Sequence, residues 1–179
     1  MHFTQGFLKN PKRVGGIFPS SRFLAAKTVQ SIPWNEVKAI AELGSGTGAI
    51  TTHINTHLTD SAKLFLFERD KKMRENLKVK YPGSMFHSNA SYLIKKMNQE
   101  SVHQLDCIIS GLPFSNFSNG IKENILHQII KALRPGGYLV AYHCSRRMKK
   151  KFAEQLILEK SEFVRWNFPP SFVYIFRKK

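Results

Sequence analysis

The chain has 179 residues, 42% of them hydrophobic, enough for one ordinary core, and no apolar run approaches the roughly 18–20 residues of a membrane span. Twenty-eight Lys and Arg against twelve Asp and Glu give a formal charge of +16, which favours polyanionic partners, either nucleic acid or an anionic membrane surface. Cys107 and Cys144 lie in apolar strand-like runs, which argues against a disulfide framework and for a reducing cytoplasm.

Residues 1–19 carry Phe3, Phe7, Leu8, Ile17 and Phe18 with Lys9, Lys12 and Arg13 and no acid, broken by Gly15-Gly16 and Pro19. Residues 1–8 lack an apolar h-region, so no signal peptide is expected. Residues 1–33 read as a basic-aromatic arm, a loop and a helix covering the active site. The helix is capped by Ser20 or Ser21, buries Phe23, Ala26, Val29 and Ile32, and ends before Pro33. The arm can close over a ligand crevice, dip its aromatics into a lipid interface, or simply cover a sheet edge.

Val37, Ala39, Ile40 and Ala41 then form a buried strand ending at Glu42. Gly44, Gly46 and Gly48 follow at every second position, and Ile50, Ile54 and Leu58 open a helix. Glycines there let the turn reach positive φ and bring a ligand against bare backbone. A second apolar run, Leu64 to Phe67, ends at Glu68, where a carboxylate is placed to accept two ribose hydroxyls. The alternative is a structural turn with a surface Glu.

A charged helix over 70–80 carries Lys71, Lys72, Arg74, Lys78 and Lys80, a short strand covers Met85–His87, and Tyr92, Leu93 and Met97 mark another helix. Asn89, followed by Ala90, can read an adenine edge or act as a plain N-cap. Leu105–Ser110 is the fourth strand, with Gly111-Leu112-Pro113-Phe114 at its tip. Proline removes an N–H and leaves backbone carbonyls free to accept from a nitrogen nucleophile, while Phe114 supplies a flat wall suited to a cationic centre. The fifth helix places Ile121, Ile125, Ile129 and Leu133 four apart. Residues 133–137 read as a stop-and-turn before a strand at 138–143, and 146–151 open a basic helix. Runs at 163–168 and 172–176, separated by Pro169-Pro170, read as a hairpin. Alternating strands and helices with a terminal hairpin predict an α/β, doubly wound, mostly parallel sheet in one domain, 1–179. His53 and His57 sit four apart on one helix without a carboxylate partner, so no metal site is expected.

The Gly-x-Gly-x-Gly spacing directly after Glu42 resembles the cofactor motif of class I S-adenosylmethionine-dependent methyltransferases. That resemblance implies a seven-stranded Rossmann-like sheet with an antiparallel last strand. It also implies S-adenosylmethionine as cofactor, held by Gln5, Glu42, Gly44, Ser45, Gly46, Gly48, Glu68, Arg69, Asn89, Ala90 and Ser110. Gln5-Gly6-Phe7-Leu8 and Leu112-Pro113-Phe114 further resemble the ribosomal RNA adenine dimethyltransferases. That family, however, carries Asn where this chain has Gly6 and Gly111, and it adds a C-terminal RNA-binding domain for which no residues remain here.

Gly16-Ile17-Phe18-Pro19-Ser20-Ser21, the glycine turn, Ser110-Gly111-Leu112-Pro113 and Pro169-Pro170 resemble the bacterial phospholipid N-methyltransferases, from about residue 3 to the C-terminus. Ser45 stands where proline is expected, and Asn89 where an acid is expected. This likeness implies methylation of a phosphatidylethanolamine amine by a cytoplasmic protein, peripheral at the inner face of the membrane. Ser110, Leu112, Pro113 and Phe114 would then form the acceptor site, Tyr142 or His143 would face it with His143 as candidate base, and the cations of 146–151 would hold lipid phosphates. The charge and the fold keep two alternatives open: an RNA adenine methyltransferase, and a non-catalytic basic module that only binds the cofactor. Oligomeric state is not legible.

Overall fold

The computed structural model describes residues 20–142 and 145–179. The arm at 1–19, with Gln5, and His143 and Cys144 lie outside the described residues. Seven strands, β1 (Ala39–Leu43), β2 (Lys63–Phe67), β3 (Met85–His87), β4 (Leu105–Ser110), β5 (Leu133–Tyr142), β6 (Leu156–Val164) and β7 (Ser171–Lys178), form one sheet in the order β3-β2-β1-β4-β5-β7-β6. β1 to β5 are mutually parallel, and β7 runs antiparallel between β5 and β6. This is the Rossmann-like sheet expected. The strand order reverses at β1 and β4, and crevices for ligands form at such a switch point.

β1 is buried at every position, as a strand covered on both faces must be. One face packs against α1 (Arg22–Val29), α2 (Ala49–His57) and α3 (Lys71–Lys80) through Leu24, Val29, Ile50, Ile54 and Leu77. The other packs against α4 (Leu93–Gln99), α5 (Asn119–Ala132) and α6 (Arg146–Gln155) through Leu93, Met97, Ile125, Ile129, Met148 and Phe152. Side-chain caps start three of these helices: Ser21 accepts from Leu24 N at 3.2 Å, Asp70 from Met73 N at 2.9 Å and Ser145 from Met148 N at 3.3 Å.

Four expectations need correction. α1 buries Leu24, Ala25, Thr28 and Val29, while Phe23 and Ala26 are exposed. The face is shifted because Thr28 can turn inward, its hydroxyl donating to Leu24 O at 2.8 Å. Leu133 begins β5 rather than closing α5, and Ile121 is exposed. The glycine-rich run after Leu133 is absorbed as an irregularity, since Leu105 pairs with Leu133 but Cys107 with Tyr138. Leu58 caps α2 rather than extending it. Finally, β6 begins at Leu156, well ahead of 163. Its Glu159, Lys160 and Glu162 break any apolar run, as suits an edge strand guarded by charge.

Candidate active site

One row of register builds the site. Phe67, Leu43, Ser110 and Ala141 lie side by side at the C-terminal ends of β2, β1, β4 and β5. The next residue on each strand therefore reaches the rim: Glu68, Gly44, Gly111 and Tyr142.

The glycine turn has φ of +84° at Gly44, +53° at Gly46 and +84° at Gly48, values that side-chain-bearing residues rarely adopt. Gly44 N and Ser45 N donate to Phe67 O at 2.8 and 3.1 Å, which fixes the turn on β2. A Cβ at Gly48 would stand 2.8 Å from Leu77 Cδ2, and one at Gly44 would stand 3.4 Å from the Gly111 carbonyl carbon, so both glycines permit close packing. A Cβ at Gly46 would meet nothing within 4 Å. That is the open side of the turn.

Glu68 bridges the turn and the next helix. Its Oε2 accepts from Gly46 N at 2.7 Å and its Oε1 from Asp70 N at 2.8 Å. Burial raises its pKa, and those two backbone bonds only partly offset the effect. Arg69 beside it is exposed, and its carbonyl, with that of Glu68, accepts from Arg74 Nη1.

Glu42 is fully buried on the α2 side of the sheet, where Thr51 donates to Oε2 at 2.5 Å and Ser45 Oγ reaches the Glu42 carbonyl at 3.4 Å. Its Oε1 is buried without a partner. Burial raises the carboxyl pKa to about 8; the Thr51 bond opposes this and the nearby Glu68 charge adds to it. Thr51 was not anticipated from the sequence, where it reads as one polar residue within a helix.

Ser110 is also fully buried, and its Oγ has no partner. Gly111 N donates to Leu43 O at 2.9 Å. A Cβ at Gly111 would stand 2.1 Å from the Tyr142 hydroxyl and 2.4 Å from Cζ, so Tyr142 occupies the space that a side chain at 111 would need. Burial raises the Tyr142 pKa, and the Glu42 and Glu68 charges raise it further, against a lowering bond with Ser20. The phenol therefore stays protonated in the physiological range.

The rest of the strand-four tip differs from expectation. Phe114 is buried, edge-on to Phe117 and Phe152 at 6.0 and 5.8 Å, so it belongs to the core and not to an acceptor wall. The Leu112 carbonyl accepts from Phe114 N and the Pro113 carbonyl from Asn116 N, at 2.9 Å each, the second within a 3-10 turn. Leu112 packs against Gly44. Asn89 is exposed and caps the turn at Ala90, its Oδ1 accepting from Ser91 N at 2.9 Å, while Ala90 is buried. His57 Nδ1 lies 2.7 Å from the His53 carbonyl and its ring stacks on Trp34. Among the described residues no cluster could hold a metal, and no helix is long and apolar enough to cross a membrane.

A nucleoside ligand bearing a positive charge fits these features. The crevice offers an open glycine turn, the Glu68 carboxylate at its edge, and two orphaned buried oxygens, Glu42 Oε1 and Ser110 Oγ, that a polar ligand would satisfy. Fold and site together define a class I methyltransferase crevice.

A family model described as a methyltransferase domain matches residues 40–137, more than half of the chain, and the chain belongs to that family. It is an S-adenosylmethionine-dependent methyltransferase. An ornithine lipid N-methyltransferase from Singulisphaera acidiphila is 27% identical over 139 residues, 75% of this chain and 72% of that one. The crystal structure of the N-methyltransferase NodS from Bradyrhizobium japonicum WM9 matches 88% of this chain and 93% of its own, with a TM-score of 0.69 and 13% identity. The same protein in complex with S-adenosyl-L-homocysteine gives a TM-score of 0.66 at 12% identity, over 99% of each chain. Likeness at this identity carries the fold alone.

Proposed function

We propose that the chain methylates the amine of a membrane lipid of the phosphatidylethanolamine type, at an anionic bilayer surface. The observation that carries this reading is the contact of Gly111 with Tyr142. The position that holds an asparagine amide in adenine methyltransferases is filled here by a phenol, which leaves no room for that amide. A small alkyl amine needs no base-reading amide. The 27% identity with an ornithine lipid N-methyltransferase and the charge of +16 support the same class of acceptor.

S-adenosylmethionine, when bound, supplies a methyl group already activated on sulfonium. The Gly44–Gly48 turn, with Ser45, would bring the ligand against bare backbone at Gly46. Glu68 would hold the ribose hydroxyls, with Arg69 exposed beside it. Ala90 and Asn89 border the base, and Ser110 Oγ and Glu42 Oε1 gain the partners they lack. A positive ligand beside Glu42 would favour its ionised form. Tyr142, kept neutral by burial, presents its phenolic oxygen to an acceptor N–H and orients the nitrogen. The ammonium must shed a proton before it can attack, and the path is a base or a water chain at the crevice mouth. Most of the acceleration then comes from positioning.

The test is transfer from methyl-labelled cofactor. Phosphatidylethanolamine vesicles containing anionic lipid are offered in one reaction and unmodified ribosomal RNA in another. Label in the lipid amine supports the reading, whereas label in RNA alone overturns it.

A further inference from the structure

The β6–β7 hairpin holds four large aromatic side chains in solvent: Phe163 is 58% exposed, Trp166 68%, Phe168 73% and Phe172 45%. An apolar cluster of this size ringed by cations marks an interaction surface. The rings are organised. Phe163 and Phe172 form a cross-strand pair with centroids 5.0 Å apart, Phe172 stacks on Tyr174 at 5.8 Å, and Lys149 of α6 lies 4.9 Å over the Tyr174 ring. At the turn, the Arg165 guanidinium sits 5.2 Å from the Trp166 ring centroid. Arg146, Arg147 and Lys150 are exposed on α6. Lys27 and Lys160, by contrast, are paired with Glu162.

Position gives the patch its meaning. β7 runs antiparallel to β5 with Val173 opposite Tyr142, so the turn between β6 and β7 lies at the same end of the sheet as Ser110, Gly111 and Tyr142. Asn167 in that turn accepts from Ser21 N at 3.0 Å and donates to Pro169 O at 2.8 Å. The neighbouring Ser20 bonds Tyr142. The aromatic tip is thus tied to the rim of the crevice.

We propose that this tip is the membrane-docking element. Trp166 and Phe168 enter the interfacial layer of an anionic bilayer, with Phe163 and Phe172 behind them. Arg165 and the α6 cations meet the lipid phosphates, and the crevice mouth then opens at the depth of the head groups. The inference rests on the lipid-amine reading above. Tryptophan favours such an interface because it is apolar in body and carries one N–H. Charge complementarity selects anionic lipid. Single-stranded RNA fits less well: the Asn167 amide, which could read a base edge, is spent on the chain itself.

The chain has two tryptophans, so Trp34→Phe leaves Trp166 as the sole reporter. On vesicles of equal parts phosphatidylglycerol and phosphatidylethanolamine, Trp166 emission shifts to the blue and is quenched by bromine-labelled acyl chains. In the tryptophan-intact protein, replacing Phe163, Trp166 and Phe168 together by Ser weakens partitioning at least about tenfold. S-adenosylhomocysteine affinity stays unchanged, and loss of the Phe163–Phe172 pair lowers the melting temperature by only a few degrees, which shows the variant is folded. Vesicle binding with Trp166 unshifted and unquenched overturns the proposal. A Trp166 shift caused by RNA without vesicles, or by raised protein concentration alone, overturns it equally. Methylation of a short-chain amino-lipid dispersed as monomers separates the two readings. The triple variant keeps that activity if only docking is lost, whereas no label in any lipid overturns the lipid-amine reading itself.

Discussion

Asp106 and Glu42 sit near opposite ends of neighbouring strands, and their surroundings treat a carboxylate in opposite ways. Asp106, near the start of β4, has both oxygens engaged: Oδ2 accepts from Lys38 N and Ala39 N at 2.8 and 2.9 Å, and Oδ1 from Arg134 Nε at 2.6 Å. Burial alone would raise its pKa, but the Arg134 bond and the two backbone bonds outweigh this and hold it below the usual range. Glu42, near the end of β1, has one bond from Thr51 and one oxygen with no partner, and burial pushes it to about 8. Asp106 closes the sheet. Glu42 keeps an oxygen unpartnered, which a polar ligand can satisfy.

The contrast can be broken in several ways, and the largest effect is expected at the rim. Gly111→Val drives a side chain into Tyr142 and should reduce methyl transfer by about 10²-fold or more, measured as kcat/KM, because the acceptor geometry is lost. At the opposite end, Asp106→Ala removes three charge-assisted bonds and should lower stability by about 2–4 kcal/mol in denaturant unfolding, with kcat unchanged below the melting transition.

The two carboxyls also give opposite pH slopes. Asp106, depressed in the folded state, contributes stability that is complete above its ordinary value of 3.8 and lost as pH falls through the lower folded value. Glu42, raised in the folded state from 4.5 to about 8, leaves stability complete at low pH and erodes it as pH rises across that interval. Glu42→Gln should flatten the second slope and stabilise the ligand-free protein near pH 8, as thermal scans across pH would show. Asn89→Ala, which removes only a cap, should cost at most about 1 kcal/mol and change cofactor affinity less than about threefold.

Much of the fold was legible because β1, β2, β4 and β5 are buried on both faces and read as apolar runs. β6 was misplaced because an edge strand needs no such run. The glycine turn and Glu68 were legible as a pair: only positive φ and close packing demand that spacing, and the carboxylate meets the turn across one strand pairing. Phe114 misled because an aromatic next to a proline says nothing of which way the turn throws its ring, and the core had space between Phe117 and Phe152. Tyr142 was legible as a residue near the crevice, but its hold on Gly111 depends on β4–β5 register, which no local pattern encodes. The Thr51 bond to Glu42 crosses from helix to strand and is equally silent in the sequence.

The most direct test of the division between the two ends is equilibrium titration of S-adenosylmethionine into the unmodified protein, Glu68→Ala and Asp106→Ala, all at a temperature where each is folded. Glu68→Ala is expected to lose about 10²-fold in affinity, since two charge-assisted hydrogen bonds to the ligand disappear, and Asp106→Ala to bind as the unmodified protein does. Equal loss in both variants, or full affinity in Glu68→Ala, would contradict that division.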